Sequence, residues 1–171
     1  MVQKIAILGA ESSGKSVLAE ALARHYQTLW VPEYLREFVD QQQRVPRSEE
    51  QLLIAQTQRA RELDACSRAN QYLFCDTTPL MTALYSRHYF AELDPQLVEL
   101  AHQHDYAFTI VTAPDFPWTP DGLQRESPAV RDRVHQELLD LLEEREIPFI
   151  LVEGDLTNRV EQVSFALNFL A

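Results

Sequence analysis

The chain has 171 residues, 46% of them hydrophobic, with 15 basic and 26 acidic side chains for a net charge of −11. That length suits one domain, residues 1–171, with a core large enough to fold unaided. No apolar run reaches the roughly eighteen residues of a membrane span. The acidic balance excludes broad affinity for phosphate backbones, so neither a membrane nor a nucleic acid is an expected partner.

The opening MVQKIAILGAESSGKS has no long apolar stretch with a small-residue cleavage site, and reads as a strand rather than a secretory signal. Cys66 and Cys75 are too few for a disulfide framework and lack metal-ligand company. Cys75 lies in an apolar run and reads as a buried thiol, which fits a reducing cytoplasm. Of the 15 cations, 13 are Arg and only Lys4 and Lys15 are Lys. Arg suits forked contacts with phosphate or carboxylate.

In chain order, Lys4–Leu8 is a short buried strand and Lys15–Tyr26 a helix with Leu18, Ala19 and Leu22 on one face. Thr28–Val31 is a second strand, stopped by Pro32, and Glu33–Gln42 is helical. Ser48-Glu-Glu-Gln51 is a capping-box pattern ahead of a long helix to about Ala69. Tyr72–Cys75 is the third strand, and Pro79 opens a helix to about Arg87. Asp94-Pro95 starts a short helix to about His104, and Tyr106–Val111 is the fourth strand. A loop over 112–126 leads into a helix from Ser127-Pro128 to about Glu146. Pro148–Val152 is the fifth strand, and Asp155 caps the last helix. Strands alternating with helices predict an α/β fold, a parallel sheet covered on both faces. His102 and His104 diverge on their helix and read as structural.

Gly9-Ala-Glu-Ser-Ser-Gly14-Lys15-Ser16 fits G-x-x-x-x-G-K-[ST] at every fixed position, with a strand before and a helix after. The glycines permit the tight turn that faces successive amides onto phosphate oxygens, and the helix adds its positive dipole end. The predicted nucleotide-binding stretch is Gly9, Glu11, Ser12, Ser13, Gly14, Lys15, Ser16 and Val17. Lys15 is placed to reach the β- and γ-phosphates of ATP, and the Ser16 hydroxyl to ligate Mg²⁺. The Gly-x-Gly-x-x-Gly dinucleotide fingerprint is absent.

Ligands of open α/β sheets bind beyond the carboxyl ends of the strands, where Glu33, Asp76, Asp115, Glu153 and Asp155 fall. Asp76 holds the position of a metal-binding carboxylate or of a helix cap. Glu33 is the candidate general base for an attacking hydroxyl, or a first-turn helix charge, with Arg36 one turn on. Arg125, Arg131 and Arg133 flank the start of the sixth helix and read as arginines of a lid spanning about 113–133, or as a solvated face. Trp118, between two prolines, is either a stacking residue or a loop anchor.

Taken together, the segments 7–23, 32–39 (PEYLREFV), 74–82 (FCDTTPLMT) and 106–125 (YAFTIVTAPDFPWTPDGLQR), with the closing unit from Pro148, resemble the ribosylnicotinamide kinase domain of the NadR proteins. The resemblance implies a P-loop nucleoside-kinase fold with a five-stranded parallel sheet in the order 2-3-1-4-5. It implies ATP-dependent phosphorylation of the 5′-hydroxyl of nicotinamide riboside, a small-molecule nucleoside partner, in NAD salvage. It places Glu33, Tyr34, Arg36 and Asp76 at the nucleoside pocket, Trp118 and Asp121 on the substrate loop, Arg125 in the lid, and Ser16 with Asp76 at Mg²⁺. Leu35 departs from the small residue the family carries before Arg36, and the chain is too short for the adenylyltransferase domain of those proteins. Kinases of another nucleoside, a nucleotide or a small alcohol, and an NTP-binding regulator, are the alternatives. Monomer and homodimer are both open.

Overall fold

The computed structural model describes residues 1–117 and 127–170. Strand β1 (Gln3–Leu8) is central because its residues Ile5–Leu8 are apolar on both faces and wholly buried. Strands β2 (Leu29–Val31), β3 (Tyr72–Asp76), β4 (Phe108–Thr112) and β5 (Ile150–Val152) pair parallel in the order β2-β3-β1-β4-β5. The register sets Ile5 between Phe74 and Phe108, and Ile7 between Asp76 and Ile110. This is the order that the resemblance implied.

Alternation along β1 sends Ile5 and Ile7 to one face and Ala6 and Leu8 to the other. The first face is covered by α1 (Lys15–His25) and α7 (Leu156–Leu167), through Leu18, Leu22, Val163 and Leu167. The second is covered by α4 (Pro79–Phe90) and α6 (Pro128–Glu144), through Leu80, Leu84, Val134 and Leu138. Helix α3 (Gln51–Cys66) packs on the β2–β3 end, where Cys75 is fully buried as expected. Helix α2 (Tyr34–Gln42) precedes it and α5 (Pro95–His102) packs against α3 and α4. No helix among the described residues is long and apolar enough to cross a membrane.

Helix starts follow their caps. Asp94, Ser127 and Asp155 accept from Gln96, Val130 and Asn158 backbone N–H groups at 2.8, 3.2 and 2.8 Å. The expected box on Ser48 is displaced by one residue. A 3₁₀ turn at Ser48–Glu50 precedes α3, and Glu50 accepts from the Arg47 N–H at 2.8 Å while bound by both Arg44 nitrogens. The ion pair with Arg44 draws the capping carboxylate to Glu50. Strand β4 begins two residues later than expected because Tyr106 turns inward, donating from its hydroxyl to the Glu62 carboxylate at 2.8 and 2.9 Å. Lys4 completes this contact between α3 and the sheet, 3.5 Å from Glu62.

His104 has the structural place expected of it. Its Nε2 lies 2.9 Å from Thr109 Oγ1, and its ring packs on Tyr106. Burial lowers its pKa to about 4, helped by the Arg145, Lys4 and Arg59 cations and opposed by Asp105. A histidine depressed in the fold gives its full stability above the unfolded pKa near 6.5 and loses it as pH falls from there through 4. Glu62, raised mainly by burial, works in the opposite direction from its ordinary carboxylate pKa upward, and does so equally in both proteins compared below. Thermal melts of wild type and His104→Asn isolate the histidine. Between pH 7 and 5 the wild type should lose on the order of 1–2 kcal/mol more than the variant; equal losses would refute the assignment.

Candidate functional site

The site begins where β1 ends. Between Leu8 and Lys15 the backbone must turn from a strand buried on both faces into α1. Gly9 permits the first part of the turn by close approach. A Cβ there would lie 2.2 Å from Thr112 Oγ1 and 2.8 Å from Ser13 Oγ. Those two hydroxyls are 2.7 Å apart, and Ser13 Oγ also donates to the Ala10 carbonyl at 2.5 Å. Ser12 and Gly14 sit in the left-handed region, with φ of 58° and 86°. At Gly14 a Cβ would also press on the Phe116 ring at 2.7 Å. Alternation of this kind makes an anion-binding nest of successive N–H groups.

Two buried arginines hold the loop from behind. Arg159, on α7, is fully buried. Its Nη1 donates to Ser13 O at 2.5 Å, its Nη2 to Ala113 O at 3.0 Å and its Nε to Gly154 O at 3.0 Å. It also pairs with Asp115, and its guanidinium lies 4.1 Å from the Phe116 ring centroid. Arg131, on α6, donates from Nη1 to Phe116 O at 2.7 Å and to Ser12 O at 3.4 Å. Such charge-assisted bonds are worth about 1.5–3 kcal/mol each, and together they offset the cost of burying the cations.

The acidic side of the site stands at the ends of β2 and β3. Glu33 stands just before α2 with no side-chain bond to the helix amides, and its Oε2 accepts from Thr77 Oγ1 at 2.7 Å. Thr77 holds φ 73°, an uncommon conformation for a β-branched residue, and its N–H donates to Ile7 O at 2.9 Å. Asp76 is only 3% exposed. Burial first, and the Glu33 charge second, push its pKa up to about 7, against the opposing pull of Lys15 and Arg36. Gln58 of α3 ties the two strand ends together. Its Nε2 donates to Pro32 O and Asp76 O, both at 3.1 Å, and its Oε1 accepts from the Tyr34 N–H at 2.8 Å.

A cleft of about 860 Å³ joins these parts. The loop residues 11–17, Glu33, Arg36 and Asp76 line it. So do the apolar or aromatic Leu35, Val39, Val45, Tyr85, Tyr89 and Phe90 and the polar Arg44, Arg47, Ser48 and Gln51, and the two tyrosine rings lie parallel with centroids 6.0 Å apart. Lys15 reaches back to Ala10 O at 3.0 Å.

Several expected site residues stand elsewhere. Tyr34 is not among the cleft residues; its ring lies under the Arg61 guanidinium, 4.7 Å away, on the α3 side. Arg131 is 8% exposed and lies behind the loop, with its guanidinium on backbone carbonyls. Asp115 is engaged by Arg159 and by the Gly154 N–H, and Asp155 caps α7. These charges are consumed by the scaffold. Ser13 contributes backbone alone, since its hydroxyl is turned into the core. Trp118, Asp121 and Arg125 lie outside the described residues. Sequence reasoning missed Gln58, Thr77, the Tyr85–Tyr89 pair and Arg159. For Arg159 a signal existed: it shares the apolar stripe of Leu156, Val160, Val163 and Leu167.

The close approach at Gly9 can be checked by a double-mutant cycle. Gly9→Ala should destabilise the protein by about 2 kcal/mol or more through overpacking. In a Thr112→Ala background, which removes the nearest atom, the same change should cost measurably less. Additive losses in the melts would show that Thr112 is not what excludes a side chain.

A profile of the AAA domain family matches residues 4–159. The trifunctional NAD biosynthesis/regulator protein NadR of Escherichia coli (strain K12) is 31% identical over 161 residues, 90% of this chain and 39% of NadR. The chain thus spans about two fifths of the length of that curated relative. Its backbone superposes on a crystal structure of NadR in complex with NR with a TM-score of 0.80 at 22% identity, over 98% of this chain and 51% of the other. A NadR structure in complex with NAD and AMP-PNP gives 0.79 at 20% identity, over 98% and 49%. Deoxyadenosine kinase from M. mycoides gives 0.66 at 12% identity, over 97% and 99%. A chain that carries the strand–loop–helix cradle, matches the AAA domain over nearly its whole length and aligns with NadR over nine tenths of it belongs to the AAA domain family and is a homologue of NadR.

Proposed function

We propose that the chain is an ATP-dependent kinase that phosphorylates the 5′-hydroxyl of nicotinamide riboside, giving nicotinamide mononucleotide. One observation carries the reading: the phosphate-type loop and the carboxylates of Glu33 and Asp76 open into one cleft that also has room lined by apolar and aromatic side chains and by Arg44, Arg47, Ser48 and Gln51. A regulator that only binds and hydrolyses a nucleotide has no need of an acceptor chamber beyond its phosphates. The alignment with NadR and the binding of NR and of NAD with AMP-PNP by the NadR structures support the choice of substrates. Two free thiols, Cys66 and Cys75, fit a reducing cytoplasm.

The residues divide the work between charge and proton. The amides of the 9–16 loop and the Lys15 ammonium bind the phosphate chain of ATP. Lys15 exchanges its bond with Ala10 O for phosphate oxygens. Glu33 accepts the proton of the 5′-hydroxyl as that oxygen forms its bond to the γ-phosphorus and the bond to the β-phosphate oxygen breaks, releasing ADP. Thr77 fixes Glu33 by occupying Oε2, which leaves Oε1 for the incoming hydroxyl. The donor set fits Mg²⁺: Ser16 and Asp76 line the same cleft, and one hydroxyl and one carboxylate beside a phosphate site suit this hard cation. Among the described residues no three His, Cys, Asp or Glu side chains stand together as a full protein cage, a pattern Mg²⁺ does not require. Bound there, Mg²⁺ supplies charge neutralisation on the β- and γ-oxygens.

A panel of nicotinamide riboside, adenosine, deoxyadenosine and thymidine with ATP tests the acceptor. Phosphorylated product should form fastest with nicotinamide riboside. Lys15→Ala should lower that turnover at least about a hundredfold with the melting temperature unchanged. Turnover of thymidine with none of nicotinamide riboside overturns the substrate assignment.

Glu33→Gln tests the base. It should lower kcat by about 10²–10⁴ and leave ADP affinity within about twofold. A raised acceptor KM with unchanged kcat would make Glu33 a binding residue instead.

A further inference from the structure

The paired arginines behind the loop have a geometric consequence for its front. The carbonyl of Ser12 and the N–H of Ser13 belong to one peptide group, as do the carbonyl of Ser13 and the N–H of Gly14. A trans peptide is planar, and its C=O and N–H point in opposite directions. Arg131 holds Ser12 O and Arg159 holds Ser13 O, and neither arginine lines the cleft, whereas Ser13 and Gly14 do. A carbonyl held away from the cleft turns the amide of the same peptide group toward it. Ser12 and Gly14 accept left-handed conformations to make this possible.

The two guanidiniums are themselves held from independent elements. Arg159 is anchored on α7 and binds Ala113 O and Asp115 after β4 and Gly154 O after β5. Arg131 is anchored on α6 and shares the Phe116 carbonyl, whose ring Arg159 faces. Helices from opposite faces of the sheet thus converge on two consecutive loop carbonyls.

We infer that Arg159, seconded by Arg131, is a positioning residue for phosphate binding: by holding the Ser13 and Ser12 carbonyls from behind, the pair presets the Ser13 and Gly14 amides as an anion nest before ligand arrives. The inference rests on the reading above that this loop holds a phosphate chain. Preset donors need no reorganisation on binding, so losing the clamp weakens affinity for the phosphates themselves and not for the acceptor. Lysine cannot replace Arg159, because a single ammonium cannot satisfy the forked set of three carbonyls and a carboxylate.

The test uses the full chain, with Arg159→Lys, Arg159→Met and Arg131→Met. The probes are ADP and inorganic tripolyphosphate, with binding followed by calorimetry and amide resonances of Ser13 and Gly14 followed by ¹⁵N NMR in the free protein. Arg159→Lys should weaken both probes about tenfold or more and broaden or split the two resonances, while acceptor KM changes less than twofold. Arg131→Met should act in the same direction more weakly, its bond to Ser12 O being long. If Arg159→Met does not fold, the other two variants decide. Affinities within twofold of wild type with single sharp resonances, even at a lowered melting temperature, would make Arg159 a stability element and overturn the inference. Wild type that binds neither probe would instead overturn the kinase reading, and the resonances would still decide whether Arg159 sets the loop.

Discussion

The fold depends on one backbone problem: the central strand is buried on both faces, yet the chain must leave it, turn and start a helix with its amides still facing solvent. Apolar packing cannot solve this, because each peptide group in the turn needs a partner for its carbonyl. The solution is polar and comes from distant segments. Thr112 and Ser13 form a hydroxyl pair at the foot of the turn, and two guanidiniums receive the carbonyls behind it. Under the inference drawn above, the Ser13 and Gly14 amides are thereby left for the front of the turn, as donors for a phosphate chain.

A second constraint acts on the other side of the cleft. Two carboxylates from adjacent strand ends approach closely enough for Glu33 to help raise the pKa of buried Asp76. Gln58 bonds the backbone at both strand ends, and Thr77 binds the Glu33 carboxylate from a strained conformation. Burial first and the Glu33 charge second raise the Asp76 pKa, and Lys15 and Arg36 oppose them. Helix α4 brings the aromatic pair Tyr85 and Tyr89, one turn apart, to the same cleft.

Much of this was legible from residue order. The buried strands appear as short apolar runs, and the caps at Asp94, Ser127 and Asp155 lie where their side chains predict. Glu33 and Asp76 stand out in the sequence because they follow apolar runs, and Lys15 and Ser16 because of their spacing from the glycines; the fold sets all four on one cleft. The Ser48 cap was misplaced because a local pattern cannot show that Arg44 folds back onto Glu50. Tyr34 was misplaced because its ring is captured by Arg61, a residue of the next helix. Arg131 was read as part of a lid because charge near a loop suggests exposure, whereas the side chain enters the interior.

Sequence by itself determined the alternation of strands and helices, the glycine-bounded turn after β1 and the carboxylates at two strand ends, since each is encoded by neighbours along the chain. Tertiary structure alone decided which charges serve a ligand and which serve the scaffold. Asp115 and Asp76 both end apolar strands, but only the first meets an arginine from the last helix. That meeting spans 44 residues, and the contact between Arg159 and Ser13 spans 146. No local spacing rule reaches so far, because these contacts exist only after the sheet has brought the ends of its strands together.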